Sequence, residues 1–84
     1  MRLSQLKNIG KEIERKLNTV GIHRAEDLKQ VGSKEAFLKL KASYPNVCLV
    51  HLYTLEGAIK DVEYNQLSDK TKNELKKFKD ELKK

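Results

Sequence analysis

NVCLVHLYTLEGAIKD, Asn46 to Asp61, is apolar on nearly every side when wound into a helix. Leu49, Leu52, Tyr53, Leu55, Ala58 and Ile59 spread over more than one stripe. Apart from the terminal Lys60 and Asp61, its only charged side chain is Glu56. A helix of that kind belongs in the middle of a bundle, with Leu52, Leu55 and Ile59 in the core. Asn46, just after Pro45, is the expected N-cap. The run is too short, and too interrupted by His51, Thr54 and Glu56, to span a bilayer. Gly57 costs roughly 1 kcal/mol against alanine inside a helix. A close approach by a neighbouring helix is therefore expected at that position.

The segments on either side read as the wrapping of this rod. Leu3, Leu6 and Ile9 have helical spacing, stopped by Gly10, and Lys11 to Val20 carries Ile13, Leu17 and Val20 on one stripe. Gly21 stands where a left-handed C-terminal cap is expected. Ala25 to Val31 makes a brief helix around Leu28, ended by Gly32. Ser33 is placed to cap the next helix, Lys34 to Tyr44, whose inward face is Ala36, Phe37, Leu40 and Tyr44. Pro45 breaks that helix. Beyond the central rod, Tyr64 and Leu67 are available to pack in the connector. Ser68 is a good N-cap for a last helix with Thr71, Leu75, Phe78 and Leu82 on one narrow stripe. The expectation is an all-α fold, a compact bundle of five to six helices and no sheet.

Length and charge bound the function. A chain of 84 residues is read as one domain, with only about 60% of its unfolded surface buried and a stability of a few kcal/mol. Its 18 basic against 12 acidic side chains give a net charge of +6, which favours anionic partners. Residues 1–32 and 65–84 each carry seven basic and four acidic groups, whereas 33–64 is balanced at four and four. The surplus flanks a neutral middle. That pattern suits a binding surface, and it equally suits lysine used for solubility. One cysteine excludes an internal disulfide, and no signal peptide precedes the first helix. Both observations lead to the expectation of a cytoplasmic protein.

Leu6-x-x-Ile9-Gly10 returns 22 residues later as Leu28-x-x-Val31-Gly32. Two apolar-glycine turns between helices suggest a paired helix-hairpin-helix, although glycine also ends short helices without any ligand. In the hairpin reading, backbone N–H groups and the helix dipole at Gly10-Lys11 face a phosphate, with Lys7 and Arg15 in support. Gly32, Ser33 and Lys34 form the second such turn. This is a grip on the backbone that reads no bases. Reversing Lys11 and Arg15 should then weaken DNA binding far more than reversing Lys83 and Lys84 at the chain end. Glu12 and Glu35 each follow their turn closely, and a carboxylate facing phosphate is unfavourable.

Other chemistry is sparse. Cys48 and His51 are neighbours on the central helix, but His23 is the only other histidine, so no metal site is completed. Cys48 is expected to be a buried, small apolar residue. Glu56 is either a general base or, by the commoner arrangement, a carboxylate with a local polar partner. No nucleotide loop, paired carboxylates or nucleophile elbow occurs. The chain is read as no enzyme, with no cofactor. The basic last helix has the composition of a membrane-surface helix, but its stripe is narrow and lacks tryptophan, so packing on the bundle is expected.

Leu6-Lys7-Asn8-Ile9-Gly10, Leu17, Gly21-Ile22, Asp27-Leu28, Val31-Gly32, Ala36, Leu40 and Lys41 together resemble the C-terminal domain of the TfoX/Sxy competence regulators. Leu55-Glu56-Gly57-Ala58 matches a short motif of that domain, and Tyr64-Asn65-Gln66-Leu67 resembles the aromatic-Asn-x-Leu segment after it. The resemblance covers about residues 3–80. It implies an all-α bundle with a helix-hairpin-helix-like (SAM-domain-like) N-terminal half. It also implies a role near DNA transformation or its regulation. Family members with both domains are positive regulators that work with a cyclic-AMP receptor type activator. Here the chain starts almost on the first helix, so a free-standing module without the regulatory domain is expected. Two functions compete: contact with DNA or a DNA-bound transcription regulator, and a protein-interaction module such as a homodimer.

Overall fold

The computed structural model describes residues 1–82, so Lys83 and Lys84 and the comparison drawn from them lie outside it. Five α-helices are connected by short loops: α1 (Lys11–Thr19), α2 (Ala25–Val31), α3 (Ser33–Ser43), α4 (Leu49–Lys60) and α5 (Asp69–Glu81). Two 3-10 turns, Leu3–Gln5 and Tyr64–Gln66, precede α1 and α5. No strand occurs among the described residues beyond one isolated antiparallel bridge, Arg2 opposite Arg24.

The apolar rod is the centre. Helix α4 packs on α2, α3, α5 and the second 3-10 turn. Its Leu52, Leu55 and Ala58 are buried, while Ile59 is only half-buried. Leu3, Leu17, Leu28, Phe37 and Leu40 close around it. The Cα radius of gyration is 11.7 Å, against about 12 Å expected of a compact chain this long. Helix α5 docks through Leu75, and the Tyr53 hydroxyl of α4 donates to the Lys72 carbonyl at 3.3 Å. That helix lies on the bundle, as its narrow stripe predicted.

The end of α1 is built as expected. Gly21 has φ +88°. The Ile22 N–H reaches Leu17 O at 3.0 Å and the Gly21 N–H reaches Asn18 O at 3.2 Å. This is the paired-bond helix ending that a left-handed glycine permits, with Leu17 and Ile22 buried against the turn.

Several local expectations fail for identifiable reasons. Among the first ten residues only Leu3–Gln5 are helical, as a 3-10 turn and not an α-helix. Leu3, Leu6 and Ile9 are spaced by three and all are buried, but Asn8 sits in the left-handed region at φ +70° and ends any helix before it. Helix α4 starts at Leu49 with Cys48 at its N-cap, not Asn46. Val47 is drawn into the core, and its N–H bonds to Tyr44 O at 3.1 Å, so the chain is still turning at Asn46. Ser33 is inside α3 and Gly32 holds the cap position at φ +89°. Cys48 is exposed, not buried. Tyr64 and Leu82 also stay exposed, leaving Leu67 and Leu75 to fill the space under the last helix.

Candidate nucleic-acid interface

The two glycine turns are not equivalent. Gly10 precedes α1 in an extended conformation, φ −94° and ψ −178°, which any residue can adopt. No side chain caps α1, and nothing lies within 4 Å of a Cβ placed on Gly10. Lys7 and Lys11 on either side are exposed and belong to no ion pair among the described residues. The first orphan N–H groups of α1 therefore belong to a turn that carries two exposed, unpaired lysines.

Arg15 is committed elsewhere. Its guanidinium donates to Glu12 Oε1 at 2.7 Å, and Lys16 meets the same oxygen at 3.9 Å. The Arg15 bond holds the Glu12 carboxyl below its ordinary range, and the pairing raises Arg15 in turn. Glu12 is thus the acid of a helix-surface pair, where first-turn acids are favoured by the dipole. Lys16 also lies over the Tyr44 ring, 5.3 Å from its centroid.

At the second turn α2 and α3 abut with only Gly32 between them. The Gly32 N–H is used by Leu28 O at 2.8 Å. Ser33 is buried, and its hydroxyl donates to Glu56 Oε1 at 2.6 Å. Lys34 is exposed, with its ammonium 5.4 Å from the centroid of Phe78 on α5. Of the residues singled out from the sequence, Lys7, Gly10 and Lys11 share one exposed segment. Ser33 is turned inward, and Arg15 and Lys34 are each held by a neighbour.

Glu56 has the local partners expected of it. Besides Ser33, Lys60 Nζ approaches Glu56 Oε2 at 3.0 Å. Gly57 has its close approach too, although from a loop instead of a helix. A Cβ there would lie 2.6 Å from both Asn8 Nδ2 and Val62 O. Asn8 explains the crowding: its amide donates to Val62 O at 3.0 Å and accepts from the Tyr64 N–H at 3.2 Å.

Cys48 and His51 are close, with Sγ 3.5 Å from Nδ1. No group of three or more His, Cys, Asp or Glu side chains arranged for a metal exists among the described residues. No described helix is long and apolar enough to cross a membrane.

Sequence reasoning missed a second basic feature. A shallow cleft of about 440 Å³ is lined by Met1, Arg2, Gln5, His23 and Arg24. Its two halves are distant in sequence and are joined by the bridge at Arg2 and Arg24, the Ala25 N–H bond to Met1 O and the Met1 amino group's pairing with Glu26, none of which a local pattern announces.

With this geometry in place, comparison with known proteins gives a consistent answer. Residues 1–79 match the TfoX C-terminal domain. The chain belongs to that family. Two crystal structures from Listeria monocytogenes share the fold of this TfoX C-terminal domain. One, in a triclinic form and described as an uncharacterised protein, is 44% identical with a TM-score of 0.96, over 99% of this chain and 94% of its own. The other, in a tetragonal form and described as of unknown function, is 46% identical with a TM-score of 0.91, over 94% of this chain and 98% of its own. No curated protein matches the chain.

Proposed function

We propose that this TfoX C-terminal domain is a non-enzymatic cytoplasmic module that contacts the DNA backbone without reading its sequence, in the service of transformation or its regulation. The observation that carries the reading is the pair Lys7 and Lys11, exposed and unpaired, flanking the uncapped start of α1. Backbone N–H groups at a helix start, reinforced by lysine, suit a phosphate oxygen. The net charge of +6 adds long-range attraction. Relative to the sequence expectation, the contact contracts from two symmetric turns to the first. Gly10-Lys11 with Lys7 is the core of the contact, Arg15 contributes at the rim, and Gly32, Ser33 and Lys34 are secondary.

The test is fluorescence anisotropy of a labelled duplex at low salt, with wild type and the Lys7→Glu/Lys11→Glu double variant. The reading expects affinities of roughly 10⁻⁴ to 10⁻⁶ M at physiological salt, falling steeply as salt rises. The charge reversal should abolish binding while leaving the helical circular dichroism unchanged. Equal affinity for the two proteins, or none for either, leaves a protein-docking or homodimer role ahead. The exposed apolar side chains give that rival less support: Met1, Leu38, Val50, Tyr64 and Leu82 lie on five different segments, and single exposed apolar residues are ordinary.

A further inference from the structure

The cleft beside the first 3-10 turn has an unusual lining. Arg2 and Arg24 face each other directly across the isolated antiparallel bridge. Side chains directly opposite in such a pair have Cβ atoms about 5 Å apart, and like charges there destabilise. The bridge is nevertheless firmly held, because the Ala25 N–H bonds to Met1 O at 2.9 Å and Leu3, Ile22 and Ala25 are buried beneath it. Packing therefore sets two arginines opposite each other at the surface, and both line the cleft.

The acids nearby offset this only in part. Arg24 forms no ion pair among the described residues, and Arg2 has only a 3.4 Å contact with Glu14 while its side chain is 74% exposed. Glu14 divides its oxygens: Oε1 meets Arg2, and Oε2 accepts the Ser4 N–H at 3.1 Å, the bond chiefly responsible for holding its carboxyl below the ordinary range. Asp27 Oδ2 is used by the N–H groups of His23 and Arg24, and Glu26 by the Met1 amino group. None of these carboxylates lines the cleft.

What does line it is a set of donors. Gln5 turns its Oε1 to the Arg2 N–H at 3.0 Å, which leaves the amide NH₂ as its free end. His23 adds an imidazole, and the two guanidinium groups add planar forks that match tetrahedral oxyanions.

We infer that the Arg2–Gln5–His23–Arg24 cleft is a binding site for a single phosphate group, whose oxygens bridge the two opposed guanidinium groups. This goes beyond the duplex reading, because the site shares no residue with Lys7, Gly10 or Lys11. The phosphate belongs either to a polynucleotide backbone or to a small phosphorylated molecule; the chemistry of recognition is the same.

The test is a ¹⁵N-resolved NMR titration of the folded protein with inorganic phosphate and, in a second arm, with a short DNA duplex. Inorganic phosphate should shift the amides of Arg2, His23 and Arg24 saturably, with chloride at matched ionic strength giving no such shift. Arg2→Ala/Arg24→Ala should weaken the phosphate response by about tenfold or more, as loss of charge-assisted hydrogen bonds requires. Both arginine side chains are exposed, so this variant should keep its dispersed spectrum. Arg2→Lys/Arg24→Lys should recover part of the response, keeping charge without the fork. If the duplex shifts the same amides, the phosphate is that of a backbone; if only inorganic phosphate does, it is that of a small molecule. Either result supports the site. Shifts that never saturate in both arms, or that persist unchanged in the alanine variant, overturn it. The Lys7/Lys11 reversal reads duplex affinity alone, so the two proposals fail separately.

Discussion

The Ser33 hydroxyl donates to Glu56 Oε1 at 2.6 Å, tying the first residue of α3 to the middle of α4. Glu56 is the one acid on the apolar rod, and its side chain is 17% exposed. A carboxylate in that position is costly unless bonded. Ser33→Ala leaves Lys60 as its single partner and should cost about 1–3 kcal/mol. Urea denaturation of the two proteins measures this directly. A loss below a few tenths of a kcal/mol would mean that solvent replaces the serine.

Gly57 is the second point where α4 depends on a distant residue. Alanine there gains about 1 kcal/mol in helix propensity, but its Cβ would meet Val62 O and Asn8 Nδ2 at 2.6 Å. The Val62 carbonyl is backbone and has little room to give. Gly57→Ala should be destabilising by about 1–3 kcal/mol net. Asn8→Ala should also destabilise, because it removes the bonds to Val62 O and the Tyr64 N–H. In the double variant the crowding at Nδ2 disappears, so the two losses should sum to more than the combined effect. Strict additivity would count against the shared-space account.

These two contacts also mark where the sequence was legible. The all-round apolarity of residues 49–59 placed α4 at the centre, the glycine at 21 announced its helix end, and the lone glutamate announced a partner. Each is a local property of composition or backbone. Which partner Glu56 takes was not local. Ser33 has the type of an N-cap, but tertiary packing of α3 against α4 claimed its hydroxyl instead. Asn8 looks like an ordinary residue before a turn, and its bridging role depends on a loop more than fifty residues away. The candidate site divides in the same way. Lys7 and Lys11 could be read from their place beside Gly10, whereas Arg2 and Arg24 are brought together only by the folded chain.

Leu52 is fully buried on α4. Replacing it with alanine should cost about 2–5 kcal/mol, a large share of what a chain this small has. Thermal denaturation should show either a sharply lowered midpoint or loss of the cooperative transition. A shift of only a degree or two would place the core elsewhere.

Lys11 and Arg15 are one turn apart on α1, but only Arg15 is neutralised by a close acid. On the proposed interface, Lys11→Gln should reduce the log–log salt slope of duplex binding by roughly 0.9, one phosphate's worth. Arg15→Gln should reduce it by less, because that guanidinium already shares Glu12. Anisotropy titrations over a range of salt give both slopes. An equal or larger effect at Arg15 would show that the Glu12 pair opens on binding.

His51 makes stability depend on pH, and the sign follows from geometry. Its Nδ1 accepts the Cys48 N–H at 3.1 Å at the start of α4. That bond needs an unprotonated Nδ1, so the neutral ring carries its proton on Nε2. Burial chiefly, and the Lys16 ammonium next, hold the imidazole pKa below 6.5. Unfolded, the same ring titrates near about 6.5. Because the folded pKa is the lower one, the unfolded chain binds the proton first as pH falls, and acid favours unfolding. The His51 contribution to stability is therefore lost as pH drops through about 6.5, and the loss stops growing once the folded ring protonates as well. Well above that pH the ring is neutral in both states and the dependence vanishes. His51→Gln retains an acceptor for the Cys48 N–H but has nothing to titrate. Urea denaturation from about pH 8 to about pH 5 should show wild type losing more stability than the variant, and most of the difference should arise below about pH 7. His23 is present in both proteins and cancels. Parallel curves would mean that His51 binds its proton equally well in the folded and unfolded chains, so that the Cys48 bond contributes no pH dependence.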